Sequence, residues 1–244
     1  MFLKELEDYP WFPAQLRKMQ LEFVGWISVR LKLYKPVLPL LQRFSNHNWI
    51  DLGSGSGWPA YYIQQNAAPK IQFTLSDLYP ESVSNEVKKH VTLQGKPLNL
   101  LEFQPEQGKQ YTLFNAFHHF TTEQQCELIQ KMKTAKAGCI VAEVLEPFLL
   151  SFIQVSLAAF VVQPLTVWAI RPFSLLRILT TYIIPIQLIT VAWDGWLSVL
   201  KSKSANQYRE LLHNIADSEF SIEVKRIKQL QGNLIVIIAQ PISA

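Results

Sequence analysis

The sequence predicts an α/β domain, and three observations within residues 49–77 carry that prediction. Trp49-Ile50-Asp51-Leu52-Gly53-Ser54-Gly55-Ser56-Gly57 reads as a buried strand that ends in a carboxylate and opens into three alternate glycines. Glycines so spaced let the backbone take positive φ and approach a ligand without Cβ interference. Pro59, followed by Ala60-Tyr61-Tyr62-Ile63-Gln64-Gln65, suits the first turn of a helix after that loop. Ile71-Gln72-Phe73-Thr74-Leu75-Ser76-Asp77 then reads as a second strand, again ending in an acid.

A strand-glycine-helix unit fits two classes of nucleotide cofactor. The dinucleotide fingerprint G-x-G-x-x-G needs Gly or Ala at 58, where this chain has Trp58. An acid at the end of the second strand can accept both ribose hydroxyls in either class, so Asp77 supports an adenosine cofactor without choosing between them. The D-x-G-x-G-x-G spacing resembles the first motif of class I S-adenosylmethionine (SAM)-dependent methyltransferases. The resemblance extends to Leu113-Phe114-Asn115-Ala116-Phe117-His118-His119-Phe120 as a fourth strand with the substrate-facing residues after it, and to Gly138-Cys139-Ile140-Val141-Ala142-Glu143 as a fifth. Segments 220–227 and 233–239 are similar to the family's antiparallel sixth and seventh strands. It implies a Rossmann-like, seven-stranded mixed sheet with the last strand pair antiparallel, and SAM as cofactor. A nicotinamide-dependent reductase is the rival enzyme class, against which Trp58 and the terminal hairpin argue. A non-catalytic membrane- or partner-binding protein on the same fold is the other rival.

By this resemblance Gly53, Gly55 and Gly57 pass under the methionine part of SAM, Asp51 fixes the loop and the cofactor's amino group, and Asp77 holds the ribose. The family's acid near the adenine amine is replaced here by Asn99, whose carbonyl can accept the same N–H. His118 and His119 fall where the fourth strand gives way to a helix marked by Thr121 and Thr122, with Gln124 and Gln125 three residues on from each. Strand neighbours point to opposite sides, so one histidine is expected to face the pocket and act as general base. The competing reading makes both structural. Zinc is not expected, because adjacent histidines without a further Cys or His at ligand spacing do not close a tetrahedral site. Glu143 and Glu146 are candidates for substrate contact.

At 244 residues the chain suits one catalytic domain of four parts: N-terminal helices (1–45), a cofactor-binding half (46–146), an apolar insertion (147–203), and a C-terminal helix with its strand pair (204–244). Acids at Glu5, Glu7 and Asp8 stand where an export signal needs a basic and then apolar run, and Cys126 and Cys139 offer no disulfide framework. A reducing, cytoplasmic setting is the expectation. The net charge of +4 is scattered along a chain only 17% charged, which sets nucleic acid behind a small molecule or lipid as partner. The preface reads as a helix packed on the sheet, with Trp11, Phe12, Leu16, Phe23, Trp26, Ile27 and Leu31 at roughly helical spacing.

The second unusual feature is residues 147–193, whose charges are Arg171 and Arg177. Residues 148–170 pass a hydropathy test for a span of about 20 residues, while Pro164, Pro172 and Pro185 divide the region into short helices. One span would put two halves of a sheet on opposite sides of a bilayer. A monotopic membrane-binding insertion is therefore preferred to a buried cap or a spanning hairpin. Arg171, Arg177, Lys201 and Lys203 are expected at anionic headgroups. The stretch Trp193-Asp194-Gly195-Trp196-Leu197-Ser198 closes the insertion, and with Phe117-His118-His119-Phe120 it resembles a bacterial group of hydrophobic SAM-dependent methyltransferases. Trp193 and Asp194 are taken as substrate-binding, since a lone acid among apolar residues is costly to bury without a partner.

Overall fold

A computed structural model describes residues 4–44 and 46–242; the first three residues of the acidic N-terminus lie outside it. Seven strands, β1 (Asn48–Leu52), β2 (Gln72–Ser76), β3 (Thr92–Leu93), β4 (Gln110–Phe114), β5 (Gly138–Glu143), β6 (Phe220–Gln229) and β7 (Gly232–Pro241), form one sheet. Its order is β3-β2-β1-β4-β5-β7-β6. The pairs among β1 to β5 are parallel, while β7 runs antiparallel to β5 and β6. The order reverses at β1 beside β4, so the crevice at their carboxyl ends is where this topology places a ligand.

Alternation across the strands builds two apolar layers. On one side Leu113, Cys139, Val141, Ile235 and Ile237 pack under α4 (Thr122–Thr134) and α9 (Ala205–Leu212). On the other, Trp49, Phe73, Ile140, Val236 and Ile238 meet α2 (Leu38–Leu41) and α3 (Trp58–Asn66). Both faces of β5 are covered, which is why every one of its residues is buried. Helix α4 starts where the threonine and glutamine spacing predicts. Thr121 Oγ1 accepts from the Gln124 amide at 3.3 Å and Gln124 Oε1 accepts from the Thr121 amide at 2.9 Å, a complete capping box.

The preface forms α1 (Ala14–Arg30), which lies on α3 and α8 (Ile186–Lys201) rather than on the sheet. Gly25 permits this: a Cβ there would stand 2.2 Å from Ser56 Oγ and 2.8 Å from Trp58 Cδ1. Helix α1 thus presses directly on the glycine loop.

The insertion departs from the short helices expected of its prolines. Helix α5 (Leu149–Leu157) continues through a π-helical turn at Ala158–Val162 into α6 (Gln163–Thr166), giving one apolar rod over Leu149–Thr166. The looser turn ahead of Pro164 accommodates the ring and the missing N–H. Helix α7 (Leu175–Tyr182) meets α8 at a 78° bend around Pro185. A third core of Phe23, Ala159, Ile170, Val191 and Ala192 joins the insertion to α1. Arg177 does not face solvent. It is 1% exposed and pairs with the equally buried Glu22 of α1, which removes it from the residues expected at headgroups. Lys201 is likewise turned inward, 3.1 Å from Glu5 Oε1.

Candidate active site at the carboxyl edge

Asp51 stands in β1, one residue from its carboxyl end and 1% exposed. Its Oδ1 accepts from Thr112 Oγ1 of the neighbouring strand at 2.7 Å, while Oδ2 is buried with no hydrogen-bond partner among the described residues. Burial dominates its titration: it pushes the carboxyl up to about 7, against the hydrogen bond from Thr112 and the nearby Ser54 hydroxyl, which itself donates to the Asp51 backbone carbonyl, and with the help of the nearby Asp77 charge. The three glycines after it all take positive φ, at 64°, 52° and 76°. Gly57 is the most constrained, since a Cβ there would lie 2.6 Å from Leu75 Cδ1 and 2.9 Å from Val87 Cγ1. Asp77 binds the loop itself: Oδ2 accepts from the Gly55 amide at 2.7 Å and Oδ1 from the Tyr79 amide at 2.8 Å. The glycine loop and the acid after β2 therefore lie together in one crevice. Asn99 does not join them. Its amide donates to Glu102 at 2.9 Å and its carbonyl accepts from the Leu101 amide at 3.1 Å, folding it into its own turn.

The histidines correct the expectation of opposite faces. Strand β4 stops at Phe114, Asn115 takes φ 53°, and Phe117–His119 is a 3₁₀ turn. Asn tolerates this left-handed conformation better than most residues. Both rings consequently lie on one side, with centroids 4.5 Å apart. His118 is fully buried, and its Nδ1 is 2.5 Å from Glu143 Oε2. Glu143 Oε1 accepts from the Phe117 amide at 2.8 Å, so this carboxylate at the end of β5 positions the turn and the imidazole together. His119 Nδ1 lies 3.1 Å from both carboxylate oxygens of Asp8. Burial alone would lower the His119 pKa, but the charges of Glu5, Asp8 and Glu7 overcome it and push it up to about 10. Glu146 is tied to Arg226 and Asn233 of the terminal strands.

Residues 5–9 are the part of the site that sequence reasoning missed. Glu5 is 2% exposed, accepts from Ser198 Oγ at 2.9 Å, and points its carboxylate at both histidines. The segment is pinned by Asp194, which accepts from the Leu6 amide at 2.6 Å, the Glu7 amide at 3.1 Å and Gln20 Nε2 at 2.6 Å. Arg17 secures it again, donating to the carbonyls of Glu7 and Tyr9 and stacking 3.7 Å above the Tyr79 ring. This explains the W-D-G-x-x-S stretch in α8. Asp194 anchors the strap, Gly195 admits Val155 of α5 to 2.4 Å of where a Cβ would sit, and Ser198 holds Glu5. Asp194 therefore meets a protein segment where a substrate contact is expected. Trp193 is 45% exposed and shares an apolar stripe of α8 with Ile186, Ile189 and Leu200. Three acids in four residues carry no local signal beyond charge. Only the need of two adjacent histidines for partners points to them.

No family model and no curated protein matches the chain. Solved structures do. The plantazolicin methyltransferase BpumL, in complex with S-adenosylhomocysteine (SAH), aligns with a TM-score of 0.54 at 10% identity, over 93% of this chain and 88% of that one. Human N-acetylserotonin methyltransferase in complex with SAM aligns at 0.52 and 14% identity, over 93% of this chain and 56% of that one. A putative O-methyltransferase from Nostoc punctiforme aligns at 0.51 and 15% identity, over 91% and 59%. The chain thus spans little more than half the length of the last two. At such identities the likeness speaks for architecture, and with the strand order it is decisive there: the chain carries the Rossmann-like fold of class I methyltransferases.

Proposed function

We propose that this chain is an enzyme that transfers a methyl group from SAM to a small lipophilic acceptor at a membrane surface. The observation that carries the reading is the orphaned, buried Asp51 Oδ2 beside three positive-φ glycines at the switch point of the sheet. A buried carboxylate oxygen without a donor is costly. A cationic ammonium group is the partner that relieves it, and the adjacent loop leaves room for backbone approach. Asp51 and the glycine loop would hold the amino acid portion of the cofactor, with Asp77 at its ribose using the lone pairs not taken by Gly55 and Tyr79.

When bound, SAM supplies a sulfonium methyl that needs only a nucleophile held in line. The chain's share of the work is then to position the acceptor, exclude water and receive its proton. His118 suits the role of proton acceptor, because Glu143 fixes the proton on Nδ1 and leaves Nε2 free to take another. The apolar rod and bent helix pair support a lipophilic acceptor and a docked membrane face. Leu149 and Leu165 are each 76% exposed and Ile183 71%, more apolar exposure on one region than a soluble surface ordinarily carries.

Calorimetric titration with SAM, SAH and NAD(H) tests the cofactor. The first two are expected to bind at a micromolar level and the dinucleotide not at all; NAD(H) binding in place of SAM overturns the reading. Transfer of a labelled methyl group from SAM into a lipid extract tests the acceptor class.

A further inference from the structure

We propose that Glu5, His118 and His119 form a binding site for a divalent transition-metal ion, with Glu7 within reach as a fourth ligand. The sequence brings only two adjacent histidines to such a site; the fold supplies the carboxylates, from more than 100 positions away. His118 Nε2 is 3.8 Å from Glu5 Oε1, and His119 Nε2 is 3.6 Å from Glu5 Oε2 and 4.0 Å from Glu7 Oε1. Donor atoms of Glu5, His118 and His119 all lie within 4.8 Å of one another. Ligands at about 2.0–2.1 Å around a tetrahedral ion stand roughly 3.4 Å apart, so the closer pairs need a few tenths of an ångström of closure and the widest up to about 1.4 Å, within reach of side-chain rotation.

Two independent observations separate this cluster from an ordinary patch of acids. The first is the orientation of the rings. Each imidazole has Nδ1 on a carboxylate, Glu143 for His118 and Asp8 for His119, and each turns Nε2 toward Glu5. That carboxylate–imidazole arrangement holds a proton on each Nδ1 and strengthens Nε2 as a donor once an ion displaces any proton there, as in metal centres. The second is that His118 Nε2 is fully buried and has no hydrogen-bond partner among the described residues, although it is aimed into the cluster. Glu5, Asp8 and Glu143 gather there against the Lys201 ammonium and the His119 imidazolium, so an ion that displaces the His119 proton meets three carboxylates in its place. Two imidazoles with carboxylates suit zinc, cobalt, iron or manganese better than calcium or magnesium.

The site does not rest on the methyl-transfer reading, because metal uptake and cofactor binding are measured separately. Where both hold, an ion takes the Nε2 lone pair that would otherwise accept the acceptor's proton, so His118 then serves as a ligand and not as the base. The test uses the full chain, metal-depleted and titrated with zinc chloride by calorimetry and with cobalt(II) by visible absorption. One equivalent is expected to bind, with magnesium and calcium failing to compete. Glu5→Gln and His118→Gln should abolish uptake, with folding followed by circular dichroism and SAM binding. Asp8 is about one-third exposed, and Asp8→Asn should fold normally yet weaken uptake about 10- to 100-fold. The proposal is overturned if the wild-type chain takes up neither ion. It is equally overturned if folded Glu5→Gln or Asp8→Asn protein binds as wild type does, which would mark an adventitious ion only.

Discussion

Replacing Asp51 with Asn preserves its shape and the hydrogen bond accepted from Thr112, and removes its ability to ionise. The carboxyl is raised from 3.8 to about 7, so over that interval the folded chain holds a proton that the unfolded chain has lost. The sign follows. The unfolded state binds fewer protons there, so wild-type stability is greatest at low pH and falls as pH rises toward 7. At 1.36 kcal/mol per pKa unit the contribution is about 4 kcal/mol, an upper figure because a native state under that penalty relaxes. Asp51→Asn lacks this component. Urea unfolding at pH 5 and pH 8 should show wild type losing about 2.7 kcal/mol relative to the variant, since two pKa units of that interval lie below 7, together with a smaller response of Asp77 and Tyr34 to the lost Asp51 charge. Cofactor binding should carry the opposite sign. An ammonium beside Asp51 favours the carboxylate, so SAM affinity should drop roughly tenfold per pH unit below 7 in wild type. Binding should release a proton, measurable in buffers of different ionisation enthalpy. The variant should bind weakly at every pH. Parallel stability curves for the two proteins, or SAM affinity independent of both pH and the substitution, would refute the placement of a cofactor ammonium at Oδ2.

Three further outcomes follow from the geometry. His118→Ala is expected to lower turnover on a confirmed acceptor by about 10²–10⁴-fold with SAM affinity nearly unchanged, and Glu143→Gln to reproduce part of that loss; turnover equal to wild type in both would leave catalysis to positioning alone. Gly57→Ala should destabilise the fold by about 2–4 kcal/mol in chemical denaturation, because it combines a strained positive φ of 76° with overlap on Leu75 and Val87. Purified protein should float with anionic liposomes, and Leu165→Asp with Ile183→Asp should prevent it while leaving the melting temperature in place, since both side chains are more than 70% exposed; protein that never floats is a soluble cap.

What is legible in the sequence is what short-range chemistry determines. Asp51, the three glycines and Pro59 specify a strand, a turn and a helix start within twelve residues, and Thr121 with Gln124 specifies the next helix start just as locally. The terminal hairpin, through its likeness to a known family, is legible to within about two residues of its observed ends. The unread parts depend on partners far along the chain. Arg177 reads as a headgroup ligand because nothing near it in sequence is acidic, yet Glu22, 155 positions earlier, lies against it in the core. Pro164 reads as a helix break because the π-helical turn that absorbs it has no sequence signature. Asn115 redirects the histidines through one backbone angle, and strand alternation cannot anticipate that.

The same long-range logic makes the histidine motif after β4 and the aspartate motif of α8 parts of one structure. F-H-H-F follows β4 and W-D-G-x-x-S lies in α8, about seventy residues later, and they do not bond each other directly. Residues 5–8 connect them. Their backbone amides saturate Asp194, the Glu5 carboxylate reaches Ser198 and Lys201 on one side and both histidines on the other, and Asp8 closes on His119. All but the one-third-exposed Asp8 are buried or nearly so, and a buried charge left unpaired by removal of its neighbour costs several kcal/mol. Such a network is cooperative, its buried members depending on one another more than on the partly exposed Asp8. The N-terminal strap is therefore an integral wall of the carboxyl-edge crevice: it joins the sheet that would hold a cofactor to the apolar helices that would hold an acceptor, and it places its acids where the two meet.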